Sequence, residues 1–333
     1  MTRDRILAAI EQEYARRREE NMHRFEARKQ EACERCAGLD DLLEARRAAL
    51  MGGVRASLLS QRKEAGASAG LSGVMAQYNQ RIGEALLAGG LGADYLQPVY
   101  TCMECHDEGY VYDPSRRMCG CMARELNRRM LVALGLEEDP QTFERFDEAL
   151  FSEEAEEESG VSQRQVAAAN RDICRRYADA FPDTETRDLL LLGKSGLGKT
   201  YLLRAIAHRV VERGFLPVYT SAYHMFELSR KAYIENNSEF MGELMNAPLL
   251  LLDDLGTEPL MNNITVTQLF NLLNERQLAR RHTVVSTNLT LSELRERYTE
   301  RVASRFLDAT RCTRLVFIGG DIRRNLKKGA GRA

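Results

Sequence analysis

The sequence predicts an α/β protein: a core with a parallel sheet flanked by helices, preceded by a mainly helical N-terminal domain. Three observations predict it. From about residue 161, short aliphatic runs alternate with amphipathic helical segments, the pattern of a parallel sheet covered on both faces. A glycine-rich loop, Gly193 to Thr200, joins the first run to the first helix after it. In the first 135 residues, apolar residues recur at helical spacing instead.

A length of 333 residues suits about two domains. Hydrophobic residues at 44% and charged residues at 29% are close to the globular average and favour neither global disorder nor membrane residence. Trp is absent and aromatics are 7%, so the cores must be largely aliphatic. Met1 to Glu20 has no apolar run of the kind a signal peptide or membrane span needs, so a cytoplasmic location without membrane contact is expected. In that reducing compartment the eight cysteines are expected to be thiols or metal ligands rather than disulfides. Net charge is only −2, but residues 301 to 333 hold nine Lys/Arg against two acids, which points to phosphates as their counterpart. Lys327 to Ala333 alone reads as a solvated basic tail.

Thr2 to about Lys29 is rich in Arg and Glu, with Ile6, Ile10, Tyr14, Met22 and Phe25 forming a thin apolar stripe along a helix. Leu42 to Met51 and Val74 to Leu87 read as further helices separated by the Gly/Ala/Ser stretch Ala65 to Gly73. Cys102 to Cys121 interrupts the helices with Gly, Asp and Pro, and Arg124 to Leu134 resumes one. Together these make an N-terminal domain over residues 1–135, with a metal segment at 102–121. A linker is expected over 136–160, on the strength of the acidic stretch Ser152 to Gly160. The core then fills 161–333. Its expected strands are Leu189 to Leu192, Leu216 to Thr220, Pro248 to Asp253, Thr283 to Thr287 and Leu315 to Ile318. Between them, Leu202, Leu203, Ile206, Val210 and Val211 form one helix face, and Val266, Leu269, Phe270 and Leu273 another.

Gly193-Lys194-Ser195-Gly196-Leu197-Gly198-Lys199-Thr200 matches G-x-x-x-x-G-K-[ST] after a strand and before a helix, the context that the phosphate-binding loop requires. The glycines let backbone N–H groups curl around the β- and γ-phosphates of ATP, and the next helix turns its positive end toward them. Lys199 adds a point charge, and the Thr200 hydroxyl ligates Mg²⁺. Leu249 to Leu252 followed by Asp253-Asp254 is a buried strand ending in two carboxylates. Asp253 serves the magnesium and Asp254 is the candidate base or water-positioner. Asn288, at the tip of the strand Thr283 to Thr287, can orient water or sense the γ-phosphate. Arg301 and Arg305 share a face of the helix Leu291 to Leu307, either as an arginine finger across a subunit boundary or as a solvated face.

Cys102-x₂-Cys105-x₁₃-Cys119-x-Cys121 supplies two close pairs of thiols joined by a short loop, which suits tetrahedral Zn²⁺, with His106 as a substitute ligand. Cys33-x₂-Cys36 has no partner pair nearby and stays unassigned. Cys174 and Cys312 read as small core hydrophobes.

With Tyr100-Thr-Cys-Met-Glu-Cys-His-Asp-Glu-Gly109 ahead of Cys-x-Cys, then Thr142-Phe-Glu-Arg-Phe146, LLLLDDLGTE, VVSTNL and ERVASRF, the chain resembles the bacterial replicative-helicase loaders of the DnaC/DnaI type. The transposition-helper ATPases share nearly the same core. The resemblance is specific from about Phe143 to Arg324 and general over Met1 to Gln97. It implies a P-loop AAA+ core without the usual helical lid, slow ATP hydrolysis with magnesium, self-association in the ATP state, single-stranded DNA contact and delivery of a hexameric replicative helicase. It also assigns Walker and sensor roles to Lys199, Thr200, Asp253, Asp254 and Asn288, and the arginine finger to Arg305 with Arg301 second. A transposase helper and a non-hydrolysing ATP-responsive adaptor are the alternatives.

Overall fold

Helical spacing in the first part of the chain gives long helices, and the segment Cys102 to Cys121, where Gly, Asp and Pro interrupt it, gives a small hairpin. The computed structural model describes residues 2–325 apart from 60–64, 113, 137, 139, 156–159, 235–238 and 261–263. The chain divides into two compact units, Ala8–Met122 and Met1–Leu7 with Ala123–Ala333. Among the described residues no helix is long and apolar enough to cross a membrane.

In the first unit, α1 (Arg3–Arg35) turns at Gly38, in the left-handed region at φ 73°, into α2 (Leu39–Leu59), and α3 (Ala65–Ala88) follows. Ala32, Cys36, Leu39, Ile82, Leu86 and Leu91 pack together as their core. A side chain on Gly89 would collide with the Cys36 sulfur, so Cys36 is a packed interior atom. The Gly/Ala/Ser stretch expected to separate two helices is instead the start of α3: its alanines have the best helix propensity and offset its glycines. The hairpin is β1 (Tyr110–Tyr112) paired antiparallel with β2 (Arg116–Met118), and α4 (Gly120–Ala133) follows directly.

The second unit is built on a five-stranded parallel sheet. After α5 (Gln163–Ala180), whose start is fixed by a capping box between Ser162 and Gln165, come β3 (Asp188–Leu192), α6 (Lys199–Glu212) and β4 (Val218–Ser221). Next are α7 (Ala222–Ile234), α8 (Glu239–Asn246), β5 (Leu249–Leu255), α9 (Ile264–Leu278), β6 (His282–Thr287), α10 (Leu291–Leu307) and β7 (Cys312–Val316). The strand order is β4-β5-β6-β3-β7, so two strands separate the loop-bearing β3 from β4, and one of them carries the carboxylate pair. Alternate leucines face opposite ways. Leu189, Leu191, Leu249 and Leu251 pack with α5 and α6, while Leu190, Leu192, Leu250 and Leu252 pack with α7 to α10. Burial on both faces is why these strands read as unbroken aliphatic runs. Cys174 and Cys312 sit in these cores, as expected of small hydrophobes.

The last strand lies at Cys312–Val316 rather than 315–318, although the pairing continues when the Phe317 N–H donates to Leu192 O at 2.7 Å. The described part of the expected linker is packed rather than extended. Leu136 and Phe143 are buried in the α5–α6 core, Phe151 is buried, and the Tyr201 hydroxyl donates to Thr142 O at 2.9 Å. Its aromatic residues outweigh its acids, and residues 156–159 of the acidic stretch lie outside the described residues, as do Lys327 to Ala333.

Leu251 is fully buried on β5, an interior strand of the sheet. Leu251→Ala is expected to cost about 2–5 kcal/mol, measured as a drop in urea midpoint at unchanged slope.

Candidate functional site

Three strands of the second unit deliver their chemistry at the C-terminal end, where Gly193 leaves β3, Asp253 and Asp254 lie at the end of β5, and Asn288 follows β6. The loop after β3 needs its glycines. Gly196 has φ 78°, and a side chain there would meet the Asp321 carboxylate at 2.0 Å. Leu197 is buried in the core and anchors the loop from beneath, while Lys194 and Ser195 are exposed on its crest. Helix α6 begins at Lys199, so its unpaired first N–H groups open into the loop.

Lys199 is 6% exposed and spends its ammonium hydrogens within the chain. It donates to Gly193 O at 2.5 Å, Lys194 O at 2.7 Å and Asn288 Oδ1 at 2.9 Å. Burial pushes its pKa down to about 8, against the pull of Asp254 and Asp253. The Asn288 amide in turn donates to Asp254 Oδ1 at 2.6 Å, so one side chain links the loop lysine to the second carboxylate.

The carboxylate pair sits on a β-bulge. Leu252 pairs with Val285 and Leu255 with Thr287, so β5 spends one more residue than β6 over the same stretch. Asp254 takes the left-handed conformation at φ 56°, which Asp tolerates better than most residues. Its displaced N–H donates to Ser286 Oγ at 2.8 Å, and the Ser286 hydroxyl donates in turn to Asp253 Oδ1 at 2.5 Å. Asp253 keeps the direction of Leu249 and Leu251, toward α6, and there accepts from Thr200 Oγ1 at 3.1 Å. A hydroxyl beside a carboxylate is the hard-oxygen pair that Mg²⁺ uses, so these residues fit that ion. Burial raises the Asp254 pKa, and the Asp253 charge raises it further.

Neither Arg301 nor Arg305 of α10 is bonded to this group among the described residues. The helix breaks at Thr299, φ 73°, and the shared face begins after the break. Arg301 is exposed. Arg305 donates to Asn274 Oδ1 at 2.8 Å and lies over the Phe270 ring at 5.3 Å, both on α9.

Sequence reasoning missed Ser286, Tyr219 and the segment Asp321–Arg323. Tyr219 donates to Asp253 Oδ2 at 2.8 Å. Arg323 donates to Ser195 Oγ at 2.7 Å and pairs with Asp321 at 3.0 Å, while the Ile322 N–H donates to Gly196 O at 2.9 Å. A lone serine inside VVST and a tyrosine inside the short strand before Ser221 are the traces these leave in the sequence.

The first unit holds a separate cluster. The sulfurs of Cys102, Cys105, Cys119 and Cys121 all lie within 4.8 Å of one another, at 3.8 Å for Cys102–Cys119 and 3.5 Å for Cys105–Cys121. A tetrahedral ion with sulfur ligands at ~2.3 Å sets its sulfurs about 3.8 Å apart, so the geometry fits. Four thiols this close cannot all ionise without a cation. His106 is outside the cluster, its ring 4.6 Å from that of Tyr100. The turn is held from outside: the Gly109 N–H donates to Cys105 Sγ at 3.3 Å, the Tyr14 hydroxyl to Cys121 Sγ at 3.3 Å, and the buried Asp107 carboxylate accepts from the Thr101 and Cys102 N–H groups and from Asn21. Outer hydrogen bonds of this kind orient metal ligands. The Cys33–Cys36 pair is no part of it.

The model of the family described as IstB-like ATP binding protein matches residues 154–329. The phage-like element PBSX protein XkdC of Bacillus subtilis (strain 168) is 25% identical over 210 residues, 59% of this chain and 74% of that protein. The replicative helicase loader DnaI of the same organism is 29% identical over 115 residues, 34% of this chain and 37% of the loader. The crystal structure of the DnaC helicase loader is similar at a TM-score of 0.41 and 22% identity, covering 51% of this chain and 96% of that one.

ATP binding should carry a pH signature. Bound phosphate favours the ammonium form of Lys199 and raises its pKa above the value of about 8 that burial gives it among its own chain's partners, so binding takes up a proton. Affinity is therefore full below pH 8 and falls by up to about tenfold per pH unit above it, until the bound-state pKa is reached. Titration with a fluorescent ATP analogue across that range, with calorimetry in two buffers to count the proton, checks both parts.

Proposed function

This chain belongs to the IstB-like ATP binding proteins and carries their AAA+ core, and on that premise we propose that it hydrolyses ATP with magnesium to deliver a hexameric replicative DNA helicase onto single-stranded DNA. One observation carries the hydrolytic half. Lys199, Asn288 and Asp254 are joined in one hydrogen-bonded chain beside the Thr200–Asp253 pair, so phosphate binding, metal binding and water positioning sit at adjacent strand ends.

In this reading Lys199 leaves its loop carbonyls for the β- and γ-phosphates. Thr200 and Asp253 would hold the magnesium, which when bound would supply positive charge against that developing on the phosphates. Asp254, steered by the bulge and by Asn288, orients the attacking water and accepts its proton. Its raised pKa suits it to that exchange. Arg305, with Arg301 second, acts on the γ-phosphate of a neighbouring subunit in the ATP-bound assembly. Basic groups such as Lys231 and the arginines at the C-terminal end contact single-stranded DNA. The four thiols hold one zinc ion that staples the unit Ala8–Met122, and that unit grips the helicase.

Asp254→Asn is expected to retain ATP binding while lowering turnover by about 10²-fold or more, measured in parallel by nucleotide titration and phosphate release. Normal turnover in that variant would remove Asp254 from the mechanism, and absence of turnover in the unaltered protein with its partners would favour the adaptor.

Native mass spectrometry should find one zinc per chain, lost in Cys105→Ser. Chelation should loosen the first unit, read by proteolysis, and leave ATP binding in place.

The full-length protein should co-elute with the replicative helicase of its own cell. Capture of a transposase in place of the helicase would transfer the same ATPase chemistry to transposition.

A further inference from the structure

The magnesium carboxylate has a third partner that no motif describes. Asp253 Oδ1 is shared by the Thr200 and Ser286 hydroxyls, and Oδ2 is taken by the Tyr219 hydroxyl at 2.8 Å. Tyr219 lies on β4 two residues before Ser221, the register partner of Asp253, so it points to the same face of the sheet and reaches the carboxylate from the side away from β6. Arg204, on the second turn of α6, donates its Nε hydrogen to Tyr219 Oη at 3.3 Å and lies over the same ring at 5.7 Å. An Oη that accepts from a guanidinium must aim its own hydrogen elsewhere, and the carboxylate is where it aims. The direction Arg204 to Tyr219 to Asp253 is therefore fixed.

We propose that Tyr219 is a positioning residue for magnesium, locking the Asp253 carboxylate so that Oδ1 stays turned to Thr200, with Arg204 orienting the tyrosine. This rests on the magnesium–ATP reading above. A carboxylate bonded on one oxygen alone can swing about its terminal torsion; bonded on both, it presents the same edge before and after the metal arrives. A hydrogen bond to a charged group is among the stronger ones, and its loss should appear in metal affinity rather than in the nucleotide cradle, which is made by Lys199 and the loop.

The test is Tyr219→Phe in the full chain, which keeps the ring packed against the core cluster and removes only the hydroxyl. Fluorescent ATP affinity is measured in EDTA and across a magnesium titration. The magnesium concentration for half of the affinity gain should rise about tenfold, with affinity in EDTA changed less than about twofold. Arg204→Met should shift the magnesium midpoint the same way by a smaller factor. An unchanged midpoint in Tyr219→Phe overturns the proposal, and so does an equal loss of affinity in EDTA, which would mark a merely structural tyrosine. If magnesium fails to tighten ATP binding in the unaltered protein, the parent reading falls, a result separate from either of those.

Discussion

The site depends on one extra residue in β5. Without it, side-chain alternation would send Asp253 and Asp254 to opposite faces of the sheet, one among the α6 helix groups and the other into the apolar layer beneath α7 to α10. The bulge lets Asp253 keep its face while Asp254 turns sideways to Asn288. Such an insertion leaves an N–H without its ladder partner, a cost of about 1–3 kcal/mol if buried. Ser286 removes that cost by accepting from the displaced N–H and donating to Asp253. The irregularity is thus held by hydrogen bonds from the neighbouring strand.

Much of this was legible in the sequence because the relevant signals are local. The phosphate loop is contiguous, the carboxylates are adjacent, and strands buried on both faces announce themselves as LLLL. What was not legible is what depends on alignment between strands. Ser286 is one of several small polar residues in β6, and only the register of β5 against β6 singles it out. Tyr219 lies 34 residues from Asp253 in the chain. The segment Asp321–Arg323 follows the last strand, and only the fold brings it onto the loop at Ser195 and Gly196. The expected linker failed for a related reason: its acids are visible as a run, but Leu136, Phe143 and Phe151 are scattered, and their burial shows only once α5 and α6 are in place.

The cysteine cluster follows another logic. Its hairpin strands have three residues each, too few to define a turn by pairing alone. Instead, the turn is fixed by Asp107, a buried carboxylate that gathers two backbone N–H groups and Asn21, and by Tyr14 on α1. The four sulfurs are therefore gathered by polar contacts from outside the cluster, in a geometry that fits a tetrahedral ion.

The break in α10 bears on distance. Before it, Tyr298 and Arg297 bond to the buried Glu258, four residues beyond Asp254. After it, Val302 and Phe306 are packed in the core with α9. A threonine at φ 73° is strained by about 1–3 kcal/mol, so the two halves behave as short rods meeting at an elbow. Measured along the second rod, Arg301 stands about 3 Å from the elbow and Arg305 about 9 Å. Both rods are packed, Leu294 and Tyr298 of the first and Val302 and Phe306 of the second in one core, and Arg305 is tied to Asn274, so the elbow lays Arg305 against α9 and leaves Arg301 at the surface.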